Sequence, residues 1–385
     1  MKSLMQTLTR TALAAALGAG FAMSAFAADL KVGLSVSLSG PNSSLGVPYA
    51  KGMQAALAYK PEVNGRKIQL IVLDDGSDPT TAGRNARKLV EEDKVDILMG
   101  TSGVPAAIAM AQVGRDAKVP MIGLTPIQLD PAENAWVFTV AQPTQLMIDA
   151  VVQRMKKDGI KTVGYIGFTD AWGDLVYNAL MKSAPEAGIK VLGNERYARA
   201  DASVTGQVLK LVAMKPDAVM TGGAGTPGAL PFLALTERGF KGPVYGQHGL
   251  INPDFVRVVG ASGQGALMPT GPVIVAEQLP DEYPTKKIAM DFRAVFQKVN
   301  NAPTSDAFSA YSFDGWLVFT DAAARAKGEP GTPEFRLSLR DAIASTKEVV
   351  GTHGVYNFKP GNLYGVDERA RVIVKLDNGQ WKLAP

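Results

Sequence analysis

From Leu30 onward the chain alternates short apolar or β-branched runs with helical patterns, and no other feature restricts its possible folds as much. The first cycle reads LKVGLSVSL, GVPYAKGMQAALAYK, KIQLIVLDD, PTTAGRNARKLVEED, VDILMG, VPAAIAMAQVGRDAK and VPMIGL. Strands this continuously apolar are buried on both faces, as parallel strands flanked by helices are. A second cycle follows FTVAQPTQ, with helices expected over 143–158, 173–187, 204–213 and 227–238 between KTVGYIGF, IKVLGNERY, DAVMTGG and GPVYGQ. The fold class is therefore α/β, with two lobes on parallel central sheets. The length of 385 residues agrees, since single cores stop growing near ~250–300 residues.

Beyond Pro269 the strand signal fades and helical patterns over 284–300, 306–326 and 333–345 take over. The C-terminal stretch from 354 reads as β-hairpin material, with DNG at 377–379 as its turn. A chain that visits one lobe, then the other, and then adds to both must cross between them several times. The expected division is 28–141 with 271–368 in one lobe and 142–270 with 369–385 in the other. Such crossings make a hinge, and the groove between the lobes becomes the expected binding site.

Residues 1–27 place Lys2 and Arg10 before an apolar stretch from Thr11 to Met23, then Ala25-Phe26-Ala27. This is the pattern of a cleaved secretory signal peptide, too short for the roughly 18 apolar residues of a membrane span. The mature chain is expected to begin near Ala28 and to be exported. Cysteine is absent, which excludes disulfides, thiol nucleophiles and thiolate metal sites. The 40 basic residues, two of them in the leader, nearly balance 36 acidic ones without any basic run, which argues against a nucleic-acid partner or a polybasic membrane surface.

Two motifs resemble chemistry that their surroundings do not support. Gly223, Gly225 and Gly228 match G-x-G-x-x-G, but the next strand ends in VYGQHG, without the acidic residue that a dinucleotide ribose needs. The loop is read instead as one whose glycines let backbone approach a ligand, and no cofactor is expected. Asp74, Asp75 and Asp78 could suggest a metal, yet Asp78 before Pro79 fits the N-cap of the next helix, and Asp74 and Asp75 suit a turn. No nucleophile–base pair, paired-carboxylate groove or metal cluster appears in any of these loops, so an enzyme is not expected.

Taken in order, VGLSVSLSGPNSSLG at 32–46, LDDGSDPTTAGRNARKLV at 73–90, ILMGTSG at 97–103, PMIGLTP at 120–126, GFTDAWGD at 167–174 and YGQHGLINPDFVRVVG at 245–260 resemble the type I periplasmic solute-binding proteins of the branched-chain amino acid group. The resemblance covers essentially the whole mature chain. It implies two Rossmann-like lobes joined by a multi-crossover hinge, a small-molecule ligand in the cleft, and an inner-membrane ABC permease as partner. A receptor sensor domain would normally carry a membrane segment after the domain.

In that family the loop here reading TSGVP and the one reading GLTPIQ hold the ligand's α-carboxylate. The helix after Gly100 begins with Pro105 at its first turn, so Ser102, Gly103, Val104 and Pro105 mark a helix N-terminus suited to an anion. The family's serine and threonine hydroxyls fall on Val104 and Ile127, leaving Thr101, Ser102, Thr125 and Gln128 as substitutes. For Thr101 and Ser102, capping the helix is an equal alternative to touching ligand. Trp172 stands where the family has a ligand-facing tyrosine, a loop position that favours ligand contact over core. Two other family tyrosines become Leu45 and Ala224, the latter beside Gly225.

His248, one of only two histidines, falls on the glutamate that pairs with an amino-acid ligand's ammonium. Its loss removes a negative charge whose absence costs a buried ammonium several kcal/mol. The expected ligand is thus a carboxylate without a free ammonium, an aromatic or 2-keto acid of the benzoate or benzoylformate kind, with His248 meeting a carbonyl, hydroxyl or second anion. The alternative is a branched-chain amino acid or amide, its ammonium resting on Trp172 through a cation–π contact of ~0.5–2 kcal/mol. A histidine merely held by loop backbone is the bland alternative for His248. His353 is read as a surface or hinge residue and given no role.

Overall fold

The computed structural model describes residues 28–130, 135–304, 306–359 and 361–384. The leader at 1–27 lies outside the described residues. The first lobe is a six-stranded sheet formed by β1 (Leu30–Val36), β2 (Glu62–Val63), β3 (Arg66–Asp74), β4 (Ile97–Gly100), β5 (Met121–Gly123) and β6 (Val137–Thr139), in the order β2-β3-β1-β4-β5-β6. All its pairs are parallel except the β2–β3 hairpin. Leu30, Val32, Leu34, Val36, Ile97, Leu98 and Met99 are buried, which explains the unbroken apolar runs.

The crossovers are helices α1 (Ser43–Tyr59), α2 (Pro79–Glu91) and α3 (Val104–Ala117). The turn chemistry is as the sequence suggests. Asp78 caps α2 by accepting from Thr81 N at 2.7 Å, and Pro79 opens the helix. Asp74 accepts from the backbone of Leu38 and Gly76, each at 2.8 Å, tying the β3 turn to the β1 turn.

The second lobe holds β7 (Thr162–Phe168), β8 (Lys190–Tyr197), β9 (Ala218–Gly222), β10 (Val244–Tyr245) and β11 (Leu267–Thr270), parallel in the order β8-β7-β9-β10-β11. Around it lie α4 (Thr144–Lys157), α5 (Ala171–Glu186), α6 (Thr205–Ala213), α7 (Leu230–Glu237) and α8 (Pro253–Val259). The helix expected over 227–238 is split, a 3-10 turn at Thr226–Ala229 preceding α7. Pro227 and Pro231, each at the start of its own segment, account for the break.

The late elements return to both lobes. Helices α9 (Lys286–Asn300) and α10 (Phe308–Arg325) pack on α1, α11 (Pro333–Ala344) packs on α10, and β12 (Val349–Val350) pairs with β13 (Val355–Tyr356). Then β14 (Val372–Asp377) pairs antiparallel with β11, and β15 (Gln380–Leu383) closes a hairpin on it. Asn378 and Gly379 form its two-residue turn with φ of 51° and 74°, the left-handed pair that suits strand twist.

The chain therefore crosses between sheets at 140–143, after Thr270 and before Val372, and the crossings converge on His353. This residue is fully buried, which corrects the surface reading. Its ring stacks on Tyr311 with centroids 3.9 Å apart, its Nε2 lies 2.9 Å from Ala307 O, and its Nδ1 is 3.4 Å from Gln142 Nε2. Gln142 belongs to the first crossing and donates to Ala370 O of the third at 2.9 Å. Gly271, of the second, lies so close that a Cβ there would sit 1.8 Å from His353 Nδ1. The small flanking residues of THGV hid this burial, since only the tertiary fold folds that loop under the hinge.

Candidate functional site

Loops at the C-terminal ends of strands in both sheets face one another across the cleft, where open α/β sheets bind ligands. The first lobe contributes Leu45 and Tyr49 of α1, Ser102, Gly103 and Val104 between β4 and α3, Leu124, Thr125 and Pro126 after β5, and Phe308 and Tyr311 of α10. The second contributes Trp172 at the start of α5, Arg199 after β8, Ala224 after β9, and His248 and Gly249 after β10. The lobes touch here, with Thr226 N donating to Ser44 Oγ at 3.1 Å. About 20 Å³ of free room remains between the walls, space for little more than one water molecule. Any ligand larger than a water molecule needs the walls to move apart.

On the first-lobe wall, α3 starts at Gly103, whose extended backbone (φ −142°, ψ 144°) has no side-chain cap. The first-turn N–H groups of α3 thus lack a side-chain acceptor, and the helix end carries partial positive charge. The capping alternative for Thr101 and Ser102 is thereby set aside. Thr101 donates its hydroxyl to Asp75, which also accepts from Ser37 Oγ at 2.6 Å and Ser77 N at 2.9 Å. Ser102 Oγ accepts from Ser37 N at 2.9 Å, which leaves its proton to donate into the cavity it lines.

His248 is the most unusual group on the opposite wall. It is 2% exposed, and neither ring nitrogen has a hydrogen-bond partner. Burial, reinforced by repulsion from His353, pushes its pKa down to about 3, so the imidazole is neutral near pH 7 and offers one donor and one acceptor. Trp172, 3% exposed, donates from Nε1 to Gly223 O at 3.4 Å. Gln247 fixes the turn by accepting from Gly249 N at 2.6 Å and donating to the same Gly223 carbonyl. The glycine-rich loop thus helps to fasten this wall through its Gly223 carbonyl.

Of the residues expected at the site, Leu45, Ser102, Gly103, Val104, Thr125, Trp172, Ala224 and His248 are brought together on the wall. Pro105, Ile127 and Gly225 are not. Ile127 is fully buried, and its carbonyl accepts from Tyr364 Oη at 2.7 Å. Pro105 sits behind Val104 within α3, and Gly225 packs against Ser44 and Leu45 at the cleft's edge. Gln128 is exposed and takes no part.

Sequence reasoning missed Tyr49, Phe308, Tyr311 and Arg199. The first three lie on helices whose core and cavity faces share one apolar pattern. Arg199 directly follows a strand's end, the same signal that singled out Trp172. Its Nε lies 2.5 Å from Asp170 Oδ2, its Nη1 reaches Asn42 Oδ1 of the other lobe at 2.8 Å, and its guanidinium lies 4.2 Å from the Phe168 ring centroid. No lining residue is acidic. Among the described residues no cluster of metal ligands occurs, and no helix is long and apolar enough to cross a membrane.

Residues 29–361 match a family model described as periplasmic binding protein. The chain is 27% identical over 274 residues to a Leu/Ile/Val-binding protein homolog of Brucella melitensis biotype 1, covering 68% of this chain and 72% of that protein. It is similar in structure to an extracellular ligand-binding receptor from Rhodopseudomonas palustris, with a TM-score of 0.90, 40% identity, and coverage of 93% of this chain and 100% of that one. A solute-binding protein of an ABC transporter from R. palustris, solved with benzoate, shares the fold at a TM-score of 0.75 and 20% identity, over 92% of this chain and 95% of that one.

Proposed function

Because this chain belongs to the periplasmic binding protein family, and so is a solute-binding protein rather than an enzyme, we propose that it captures a small carboxylate lacking a free ammonium for an inner-membrane ABC permease. An aromatic or 2-keto acid of the benzoate or benzoylformate kind fits this reading best. The observation that carries it is the wall's composition: an uncapped helix N-terminus with Ser102 and Thr125 on one side, a neutral unpartnered His248 on the other, and no acid anywhere on it. The carboxylate takes the α3 end, its charge met by unpaired N–H groups. Leu45, Trp172, Ala224, Phe308 and Tyr311 offer apolar surface worth ~25 cal/mol per Å² buried. His248 meets a polar group at the far end.

The fold itself does not choose the ligand, since binding proteins solved with isoleucine and with benzoate share it. A branched-chain amino acid is the second reading, supported by the name of the Brucella relative. Its ammonium would face a wall without a counter-charge. Closure is assigned to rotation of 28–141 with 271–368 against 142–270 with 369–385, about the crossings gathered at His353. Cleavage of residues 1–27 and export belong to the same proposal.

A thermal-shift screen with matched pairs, an amino acid beside its keto acid, tests it. A true ligand at ~100 times its dissociation constant adds ~2.7 kcal/mol of stability. The keto or aromatic acids are expected to raise the midpoint. A rise with the amino acids alone would refute the ligand class.

A further inference from the structure

We infer that Arg199 makes closure of the cleft depend on the negative charge of the ligand, and so acts as a specificity-determining residue at the same time as a latch. The inference rests on the carboxylate reading given above.

Arg199 carries the one permanent charge on the cavity wall. Its side chain is 16% exposed, and two of its three nitrogens are engaged, one by each lobe. The partner within its own lobe, Asp170, is shared. Asp170 Oδ1 caps α5 by accepting from Trp172 N at 3.0 Å and Gly173 N at 3.3 Å, so its charge already answers the positive end of that helix. The partner across the cleft, Asn42, is neutral. Bringing the lobes together therefore desolvates a guanidinium against an amide oxygen and half of a carboxylate, an incomplete compensation.

Asn42 also connects the latch to the anion end. A Cβ on Gly103, the first residue of the α3 terminus, would meet Asn42 Nδ2 at 3.0 Å. Gly103, Asn42, Arg199, Asp170 and Trp172 thus form a continuous line from one wall to the other. A carboxylate seated at the α3 end completes the charge balance of Arg199 as the lobes meet. A neutral ligand of the same shape leaves the guanidinium underpaired, and closure stays unfavourable. Arg199 thereby distinguishes an acid from its amide, although the N–H groups at the α3 end would donate to a carbonyl oxygen of either.

Titration calorimetry of the mature protein with benzoylformate and with its neutral primary amide reads this directly. In Arg199→Gln the acid should lose about fiftyfold in affinity and the amide less than about threefold. Arg199→Lys, which keeps charge without the fork, should retain most of the acid-to-amide preference. Asn42→Ala should speed release of both compounds about tenfold by stopped flow, with their affinity ratio unchanged.

Equal losses for acid and amide in Arg199→Gln would leave only a structural latch and overturn the charge-reading role, as would no loss at all. Unchanged release from Asn42→Ala would overturn the latch. Should Arg199→Gln fail to fold, Arg199→Lys and Asn42→Ala decide, a collapsed acid-to-amide ratio in the latter counting against the inference. If neither compound binds the wild type, the ligand reading falls and this inference with it. Acid binding indifferent to Arg199 sinks this inference alone.

Discussion

The indole of Trp172 stands edge-on to the imidazole of His248, with ring centroids 5.4 Å apart and planes at 88°. The contact fixes the imidazole without using either nitrogen, so the ring is oriented by packing and kept chemically available to the cleft. What occupies position 248 therefore decides whether the second-lobe wall offers a negative charge beside Arg199.

His248→Glu should move preference from keto acids toward amino acids, because it supplies the counter-charge that an ammonium lacks on this wall. The ratio of affinities for leucine and its keto acid is expected to rise about a hundredfold, one decade per ~1.4 kcal/mol. Paired calorimetric titrations measure it, and an unchanged ratio would count heavily against the site.

Stability should fall as the solution is acidified below neutrality. His248 and His353 are both pushed down to about 3 by burial, so the native state binds fewer protons than the unfolded chain, where histidine titrates near 6.5. Their contribution is complete above that unfolded value and is lost progressively toward pH 3. At pH 5 each loses about 2 kcal/mol. Urea denaturation of wild type and His248→Gln at about pH 7.5 and 5 should show the variant's pH-dependent loss smaller by about that amount. Asp314, raised to about 6 by burial, works in the opposite direction and cancels in the comparison.

Thr101→Val and Ser102→Ala should part ways. The Thr101 hydroxyl is committed to the buried Asp75, so its loss should cost about 1–3 kcal/mol of stability with little change in ligand affinity. Ser102 has a proton to spare toward the cavity, and its truncation should weaken carboxylate binding about tenfold. Denaturation curves beside titrations separate the two, and equal affinity losses would show the site misplaced.

Gly271→Ala should destabilise the protein by about 3 kcal/mol, since the added methyl collides with the ring of His353. If the variant is as stable as wild type by thermal unfolding, the packing described at the hinge is wrong.

Much of this was readable in the residues themselves. The alternation from Leu30 to Gln247 specified two parallel sheets, because strands buried on both faces leave an apolar run that solvent-facing elements do not. Helix ends fell within a few residues wherever a cap announced them, as Asp78 did. Site loops were legible because strand C-termini are where such sheets bind. The rest depended on geometry without a local signature. Tyr311 lies on α10 among residues patterned like core, and only the stacking on His353 and the exposure to the cavity distinguish it. Arg199 follows a strand's end as Trp172 does, but its cross-cleft partner Asn42 is remote in the chain, so the bridge between lobes has no local signal. Ile127 lies buried behind the wall because its carbonyl is bonded to Tyr364, a partner that matching position to position does not reveal.

The hairpin of β14 and β15 completes the second sheet only after the chain has gone back to build α9, α10 and α11 on the first. Until those final residues arrive, β11 presents a bare edge whose amides seek any extended neighbour. A polypeptide clipped ahead of Val372 would keep its whole cavity wall and still be sticky along that border. Keeping the β14–β15 hairpin in place, away from the cavity, is therefore expected to limit pairing between copies along the β11 border.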